Sequence, residues 1–327
     1  MTDPIDISDI HAARARLEGV ARVTPLLESP FLNALAGRRV LLKAECLQRT
    51  GSFKFRGGWS AISALPDEVR ERGVLAYSSG NHAQGVAHAA ELHGIPATII
   101  MPSDAPELKL ENTRAYGANV IIYDRPGGEN REEIGTKLAD EHGLTLIKPY
   151  DEPMVIAGQG TCGLEIAEQA RALGVDRAEV LVCCGGGGLT SGIALALEAE
   201  APDLTVRPVE PAAGDDTARS LAAGERVALD EPITSICDAI VTPCPGALTF
   251  PVLRRLCGPG LVVSDDEALR AMAHAFLRLK VVAEPGGAVA LAAALFHGDQ
   301  TMPDTVICTI SGGNVDPAMF ARALETL

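Results

Sequence analysis

The chain has 327 residues and a formal charge of −15, from 28 basic and 43 acidic side chains. So acidic a chain argues against nucleic acid or an anionic membrane as its main partner, while leaving room for a local basic pocket that holds a small anion. Hydrophobic residues make up 47%, with 33 glycines and 21 prolines, a composition that fits a globular α/β enzyme better than a fibrous or disordered chain.

At the N-terminus, MTDPIDISDIHAARARLEG has early acids and no apolar core of signal-peptide length. The longest apolar stretches, such as AVALAAALF, are far shorter than a membrane span. The eight cysteines are scattered, with no C-x-x-C pair, so neither zinc nor redox chemistry is indicated. A reduced, cytoplasmic location without membrane contact is the expectation.

Strand-like apolar runs follow at 39–45, 74–79, 97–101, 119–123, 145–149, 179–184, 205–210 and 305–310, with helix-like segments between most of them. This alternation predicts βαβ units, hence an α/β fold with a mostly parallel twisted sheet and helices on both faces. A lobe boundary is expected near 149–160, where PYDEPMVIAGQG gathers turn residues. Ligands of open α/β sheets sit beyond the carboxyl ends of strands. The motifs directly after strands therefore carry the functional argument.

The stretch TGSFKFRGG (50–58) reads as a loop and a helix start, with Ser52 as the expected N-cap. Lys54 falls in the first turn, where the helix dipole disfavours a cation. Glycines 51, 57 and 58 strip bulk from its surroundings. An amine kept there is suited to chemistry in its neutral or bound form. SSGNHAQG (78–85) follows a strand and gathers Ser78, Ser79, Asn81 and His82, donors for a carboxylate or a ring oxygen. The simpler reading makes Ser79 or Asn81 a helix cap.

CCGGGGL (183–189) is a strand end, four glycines and a helix start. Backbone N–H groups freed of Cβ obstruction, at the positive end of a helix, cradle a phosphate. No Gly-Lys-Ser/Thr follows, so it is not a Walker A loop. Cys183 and Cys184 are expected in the core. SGGN (311–314) puts a hydroxyl, Ser311, at a strand tip beside two glycines. GQGTCG (158–163) matches the G-x-G-x-x-G fingerprint of nicotinamide-dependent dehydrogenases. It lacks both the preceding strand and the later acidic residue that fingerprint needs, and is expected to be a closely packed helix N-terminus.

TGSFKFRGG, SSGNHAQG, GGGGL and SGGNV resemble, in order and separation, the motifs of fold-type II pyridoxal-phosphate enzymes. Within these the chain resembles the serine/threonine dehydratase and serine racemase group. The resemblance implies a tryptophan synthase β-like fold of two lobes, each an open, mostly parallel sheet flanked by helices. Residues 1–70 and 147–327 would form a large cofactor-binding domain, and 71–146 a small domain that closes over the substrate. It also implies a homodimer and a small amino acid as the partner molecule.

Carried over by residue, Lys54 would hold the cofactor as an imine, and Gly185, Gly186, Gly187, Gly188 and Leu189 would bind its phosphate. Phe53 would pack on the ring, Asn81 would bond the 3′-oxygen and Ser311 would face the pyridine nitrogen. Ser78, Ser79, Asn81 and His82 would meet the substrate. Glu284, in AEPGGA, matches a family Glu-Pro motif near the cofactor, although the family's following Thr/Ser-Ala-Gly reads Gly-Gly-Ala here.

VEPAAGDDT (209–217) resembles a divalent-cation site of the racemase-like branch, through Glu210, the Gly214 carbonyl and Asp216. Such oxygen ligands suit Mg²⁺ or Ca²⁺; a solvated acidic turn is the alternative. Arg131, in GGENREE, matches an arginine near the substrate end of the site. It would clamp a second carboxylate, favouring 3-hydroxyaspartate over serine or threonine, or else be a plain helix-surface charge.

A hydroxyl partner leaves the pyridine nitrogen unprotonated and the cofactor a weak electron sink. The expected reaction is therefore β-elimination of water from a small β-hydroxy-α-amino acid, giving a 2-oxo acid and ammonia. Racemisation of serine or aspartate, with Lys54 and Ser79 as bases on opposite faces, is the near alternative.

Overall fold

The computed structural model describes all residues except 1–4, 79, 106, 126, 230–232 and 299–302. Among the described residues ten strands form two sheets: β1 (Leu26–Glu28), β2 (Arg39–Ala44), β3 (Val74–Tyr77), β4 (Ala97–Pro102), β5 (Asn119–Tyr123), β6 (Thr145–Leu146), β7 (Ala178–Cys183), β8 (Leu204–Pro211), β9 (Leu261–Val263) and β10 (Thr305–Ile310). The larger sheet runs β1-β2-β10-β7-β8-β9, and the smaller runs β5-β4-β3-β6. All pairings are parallel except β1 with β2.

The central strands are continuous apolar runs because both faces of the sheet are covered. Val40, Leu42, Ala44, Leu181, Cys183, Val306, Cys308 and Ile310 face one core, which includes the helix Pro285–Phe296. Leu41, Val180, Val182 and Ile307 face another, against the helices Pro153–Ala172 and Gly188–Glu200. The period of two along each strand thus separates two cores. The helix Pro285–Phe296 is buried at every residue from Pro285 to Leu295, which explains its lack of a polar face. The smaller sheet repeats the plan, with Val74, Ala76, Ile99 and Met101 in one core and Leu75, Ile100 and Tyr123 in another.

Four expectations need correction. The strand expected at 145–149 is confined to Thr145–Leu146, and that expected at 74–79 ends at Tyr77. The three-residue edge strands β1 and β9 escaped the apolar pattern because they are short and largely half-buried. Ser52 does not cap its helix: Lys54–Ser63 starts one residue later, with Phe53 at the cap position and no side-chain cap bond. Ser52 instead bridges to Gly312, which draws the lysine loop onto the end of β10.

GQGTCG lies inside the twenty-residue helix Pro153–Ala172, not at its start. Its glycines serve close helix approach: a Cβ at Gly158 would come within 2.5 Å of the Arg56 carbonyl, and one at Gly163 within 2.8 Å of Ala196 Cβ. Those contacts remove the structural basis for a dinucleotide site there. Among the described residues no helix is long and apolar enough to cross a membrane.

Candidate functional site

The motifs after β3 and β7 and the Lys54 stretch converge on one cavity of about 230 Å³. Phe53, Lys54, Ser78, Asn81, His82, Arg131, Gly185 to Gly188, Leu189 and Glu284 all line it. Ser311 sits beside it at the tip of β10; its N–H donates to the Gly287 carbonyl at 3.3 Å, and its own carbonyl accepts from Phe53 N at 3.1 Å. Ser79 lies outside the described residues.

Lys54 is the first residue of its helix, and its Nζ donates to the Pro149 carbonyl at 2.6 Å. Burial pushes the amine down from its ordinary value of 10.5 to about 8, with the Glu284 charge opposing the shift. A neutral amine is therefore accessible near physiological pH, as the cramped helix start suggested. The 145–149 run stops pairing early because its carbonyls turn to the site. Ile147 O meets His82 Nε2 at 2.8 Å, and Pro149 O meets Lys54. His82 is neutral: burial and then the Lys54 charge push it down to about 3.

The glycine loop has its carbonyls occupied and its donors open. Gly186 O accepts from Thr249 Oγ1 at 2.7 Å and from Gly246 N at 3.2 Å, and Gly187 O accepts from Ser191 N at 2.8 Å. None of the N–H groups of Gly185 to Leu189 meets a protein acceptor among the described residues. Gly187, at φ 90°, caps the helix Gly188–Glu200 in a backbone region that penalises a Cβ. Five convergent, open N–H groups at a helix start fit a phosphate. Tyr150 packs on this loop, where its ring fills the space a Cβ on Gly186 would need. No motif flagged Tyr150, and only its place directly after Pro149 could have pointed to it.

Asn81 neither caps its helix nor stands alone, since Gly80 holds the cap position. Its Nδ2 donates to Glu284 Oε1 at 2.6 Å, and its Oδ1 accepts from Asn314 Nδ2 at 2.7 Å. Burial pushes Glu284 up to about 7. The ion pair of Lys109 with Asp238, at 2.8 Å, ties a helix of the smaller sheet to a turn of the larger one at the cavity wall; the sequence carried no sign of this pair. Cys183, expected to be a core residue, is buried but also lines the cavity, with Sγ donating to Gly287 O at 3.3 Å.

The acidic set at 209–217 lies apart from this cavity. Glu210 accepts from Thr217 N at 2.9 Å and from Ala218 N at 2.8 Å, at the start of the helix Asp216–Ala223. Both oxygens of buried Asp216 are without hydrogen bonds. Burial and the Asp216 charge push Glu210 up to about 8, and burial pushes Asp216 up to about 7. Gly214 is buried beside them in the same turn. Among the described residues no group of three or more acidic, His or Cys side chains is arranged for a metal. The unpartnered oxygens of Asp216, beside a second carboxylate and a neighbouring carbonyl, nevertheless suit one hard cation.

The family model described as pyridoxal-phosphate dependent enzyme matches residues 17–312. An L-threo-3-hydroxyaspartate ammonia-lyase of a Pseudomonas species is 46% identical, with 97% of this chain and 98% of that protein covered. A serine racemase of Schizosaccharomyces pombe is 42% identical over 97% of this chain and 96% of its own. Among solved structures, a threonine deaminase of T.th. superposes with a TM-score of 0.89 at 46% identity, over 95% of this chain and 99% of the other. With its lysine and glycine loop around one cavity, and its sequence matched from 17 to 312, the chain belongs to the family of pyridoxal-phosphate dependent enzymes.

Proposed function

We propose that the protein is a pyridoxal-phosphate-dependent ammonia-lyase that converts a small β-hydroxy-α-amino acid, with 3-hydroxyaspartate preferred, to a 2-oxo acid and ammonia. The observation that carries this reading is the pairing in one cavity of a lysine lowered to about 8 with the guanidinium of Arg131. Lysine supplies the base for Cα chemistry; arginine supplies a clamp for a side-chain carboxylate.

The open donors of the glycine loop support a phosphate there; Lys54 would hold the cofactor, Phe53 would pack on its ring, Asn81 would bond the 3′-oxygen and Ser311 would face the pyridine nitrogen. When bound, pyridoxal phosphate supplies a sink for the electron pair left at Cα. Ser311 offers that sink no carboxylate, which limits its strength and favours rapid loss of a β-substituent. Lys54 Nζ, held by the Pro149 carbonyl, takes the Cα proton, and a proton passed on to the β-hydroxyl lets it depart as water. Ser78, Asn81 and His82 orient the α-carboxylate, and neutral His82 adds no competing charge. Hydrolysis of the released unsaturated amine gives ammonia and the 2-oxo acid.

Residues 71–146 are read as a small domain closing over the substrate carried by 1–70 and 147–327. Glu210, Asp216 and the Gly214 carbonyl are read as a Mg²⁺ or Ca²⁺ site, supported by the free oxygens of Asp216. A homodimer and a cytoplasmic location complete the reading; all eight cysteines are free, which suits a reducing compartment.

The test is turnover of the cofactor-loaded protein with L-serine, L-threonine and 3-hydroxyaspartate, following 2-oxo acid and ammonia together. Equal release of the two products is expected, and no release from any of the three overturns the proposal. Recovered substrate is analysed for chirality. Racemisation outpacing ammonia release would move the assignment to the racemase, in which Ser79 is the opposite-face base.

A further inference from the structure

We propose that Tyr77 sets the substrate preference of the cavity by holding the Arg131 guanidinium at its wall. The inference rests on the reading of Arg131 as the clamp for a second carboxylate, and it names the residue that positions that clamp.

Arg131 is the first residue of the helix Arg131–His142, where the cap is Asn130, whose side chain accepts from Glu132 N at 2.8 Å. The positive end of a helix does not attract a guanidinium. Among the described residues no carboxylate forms an ion pair with Arg131, although Glu132 and Glu133 follow it directly. An exposed arginine without a partner would sample many rotamers, and ordering it on substrate binding would cost entropy. One contact restrains it: Cζ lies 5.1 Å from the centroid of the Tyr77 ring, within the range at which an aromatic face attracts a cation.

The ring itself is well placed to serve as a fixed platform. Tyr77 ends β3, in register opposite Ile100 of β4. Gly135, one turn after Arg131 on the same helix face, sits against the ring; a Cβ there would lie 3.5 Å from Tyr77 Cδ1. The helix thus packs directly over the end of β3, and Arg131, one turn before Gly135, lies over the ring. Sheet register thus fixes the ring, the ring fixes the guanidinium, and the guanidinium faces the cavity that Lys54 also lines. A substrate with a second carboxylate gains from this order, whereas one without it does not.

The experiment compares wild type, Tyr77→Leu and Tyr77→Phe as cofactor-loaded enzymes, with steady-state kinetics on 3-hydroxyaspartate and L-serine. Leucine keeps apolar bulk and removes the aromatic face; phenylalanine keeps the face and removes the hydroxyl. Tyr77→Leu is expected to raise KM for 3-hydroxyaspartate about fivefold more than KM for L-serine, the ratio that a partly exposed cation–π contact supports. Tyr77→Phe is expected to keep the wild-type ratio. An unchanged ratio in Tyr77→Leu, or an equal change in both variants, overturns the inference while leaving the clamp in place. A wild type without preference for 3-hydroxyaspartate, unaltered by Arg131→Ala, overturns the clamp and this inference together. L-serine turnover reports folding in each preparation. If Tyr77→Leu gives none, unbranched Tyr77→Met takes its place under the same criteria.

Discussion

On the wall formed by residues 183–189, the groups facing the cavity are backbone N–H donors, set by a loop whose carbonyls are already bonded and whose flanking strand is buried on both faces. On the wall carried by the smaller sheet, Tyr77, Ser78 and Arg131 face the cavity with side chains, and Arg131 is exposed. The first wall suits a ligand that every family member shares, because a phosphate asks only for convergent donors. The second suits whatever distinguishes one substrate from another. On the proposed reading, phosphate binding and substrate preference sit on different walls, and each should be alterable with limited effect on the other.

The largest expected effect lies on the chemical side. Lys54→Ala removes the base and the covalent anchor together, so 2-oxo acid release should fall by at least about 10³-fold. The absorbance of the bound cofactor's imine should vanish with it. Retained turnover in that variant would falsify the role of Lys54.

A smaller effect is expected from the backbone. Gly187→Ala places a Cβ at φ 90° and against Thr249 Oγ1 at 2.8 Å. Strain of about 1–3 kcal/mol should weaken cofactor binding by roughly tenfold or more, read as the dissociation constant of pyridoxal phosphate from cofactor-free protein. The preference between 3-hydroxyaspartate and serine should stay with the enzyme molecules that remain loaded. A changed preference would mean that the two walls are not separable.

The acidic pair offers a test away from both walls. Mg²⁺ should raise the thermal midpoint of the wild type, since a cation offsets the repulsion between the two buried carboxylates. Asp216→Asn should lose that response. Identical midpoints with Mg²⁺ and with a chelator would count against the site.

A further effect is a pH dependence of the stability of cofactor-free protein. Lys54 titrates near 8 when folded, against an ordinary 10.5, so over that window the unfolded chain holds the extra proton. Stability should rise with pH between about 8 and 10.5, and the rise should be absent from Lys54→Met. Parallel curves for the two proteins would mean that the amine is not desolvated.

How much of this was legible in the sequence follows the same division. The central strands could be read because two covered faces demand uninterrupted apolar runs, as in residues 305–310 and 39–44. The glycine loop could be read because donors without Cβ atoms leave a mark in the sequence itself. The platform of Tyr77 under Arg131 could not: residues 54 positions apart meet only through the register of β3 and the packing of the helix Arg131–His142 over its end. Nor could the shortened strand after Thr145, where carbonyls at Ile147 and Pro149 leave the ladder to serve His82 and Lys54. GQGTCG was read correctly as close helix packing but misplaced at a helix start, because packing glycines carry no mark of their place along a helix.

The most direct test of the account is the ratio of kcat/KM for 3-hydroxyaspartate to that for L-serine, measured in the wild type and in Arg131→Ala. The account predicts a wild-type ratio well above one that falls by about 10- to 100-fold in the variant, the range of a charge-assisted hydrogen-bonded pair, with serine turnover largely kept. A ratio that is the same in both proteins would contradict it and leave Arg131 a surface charge.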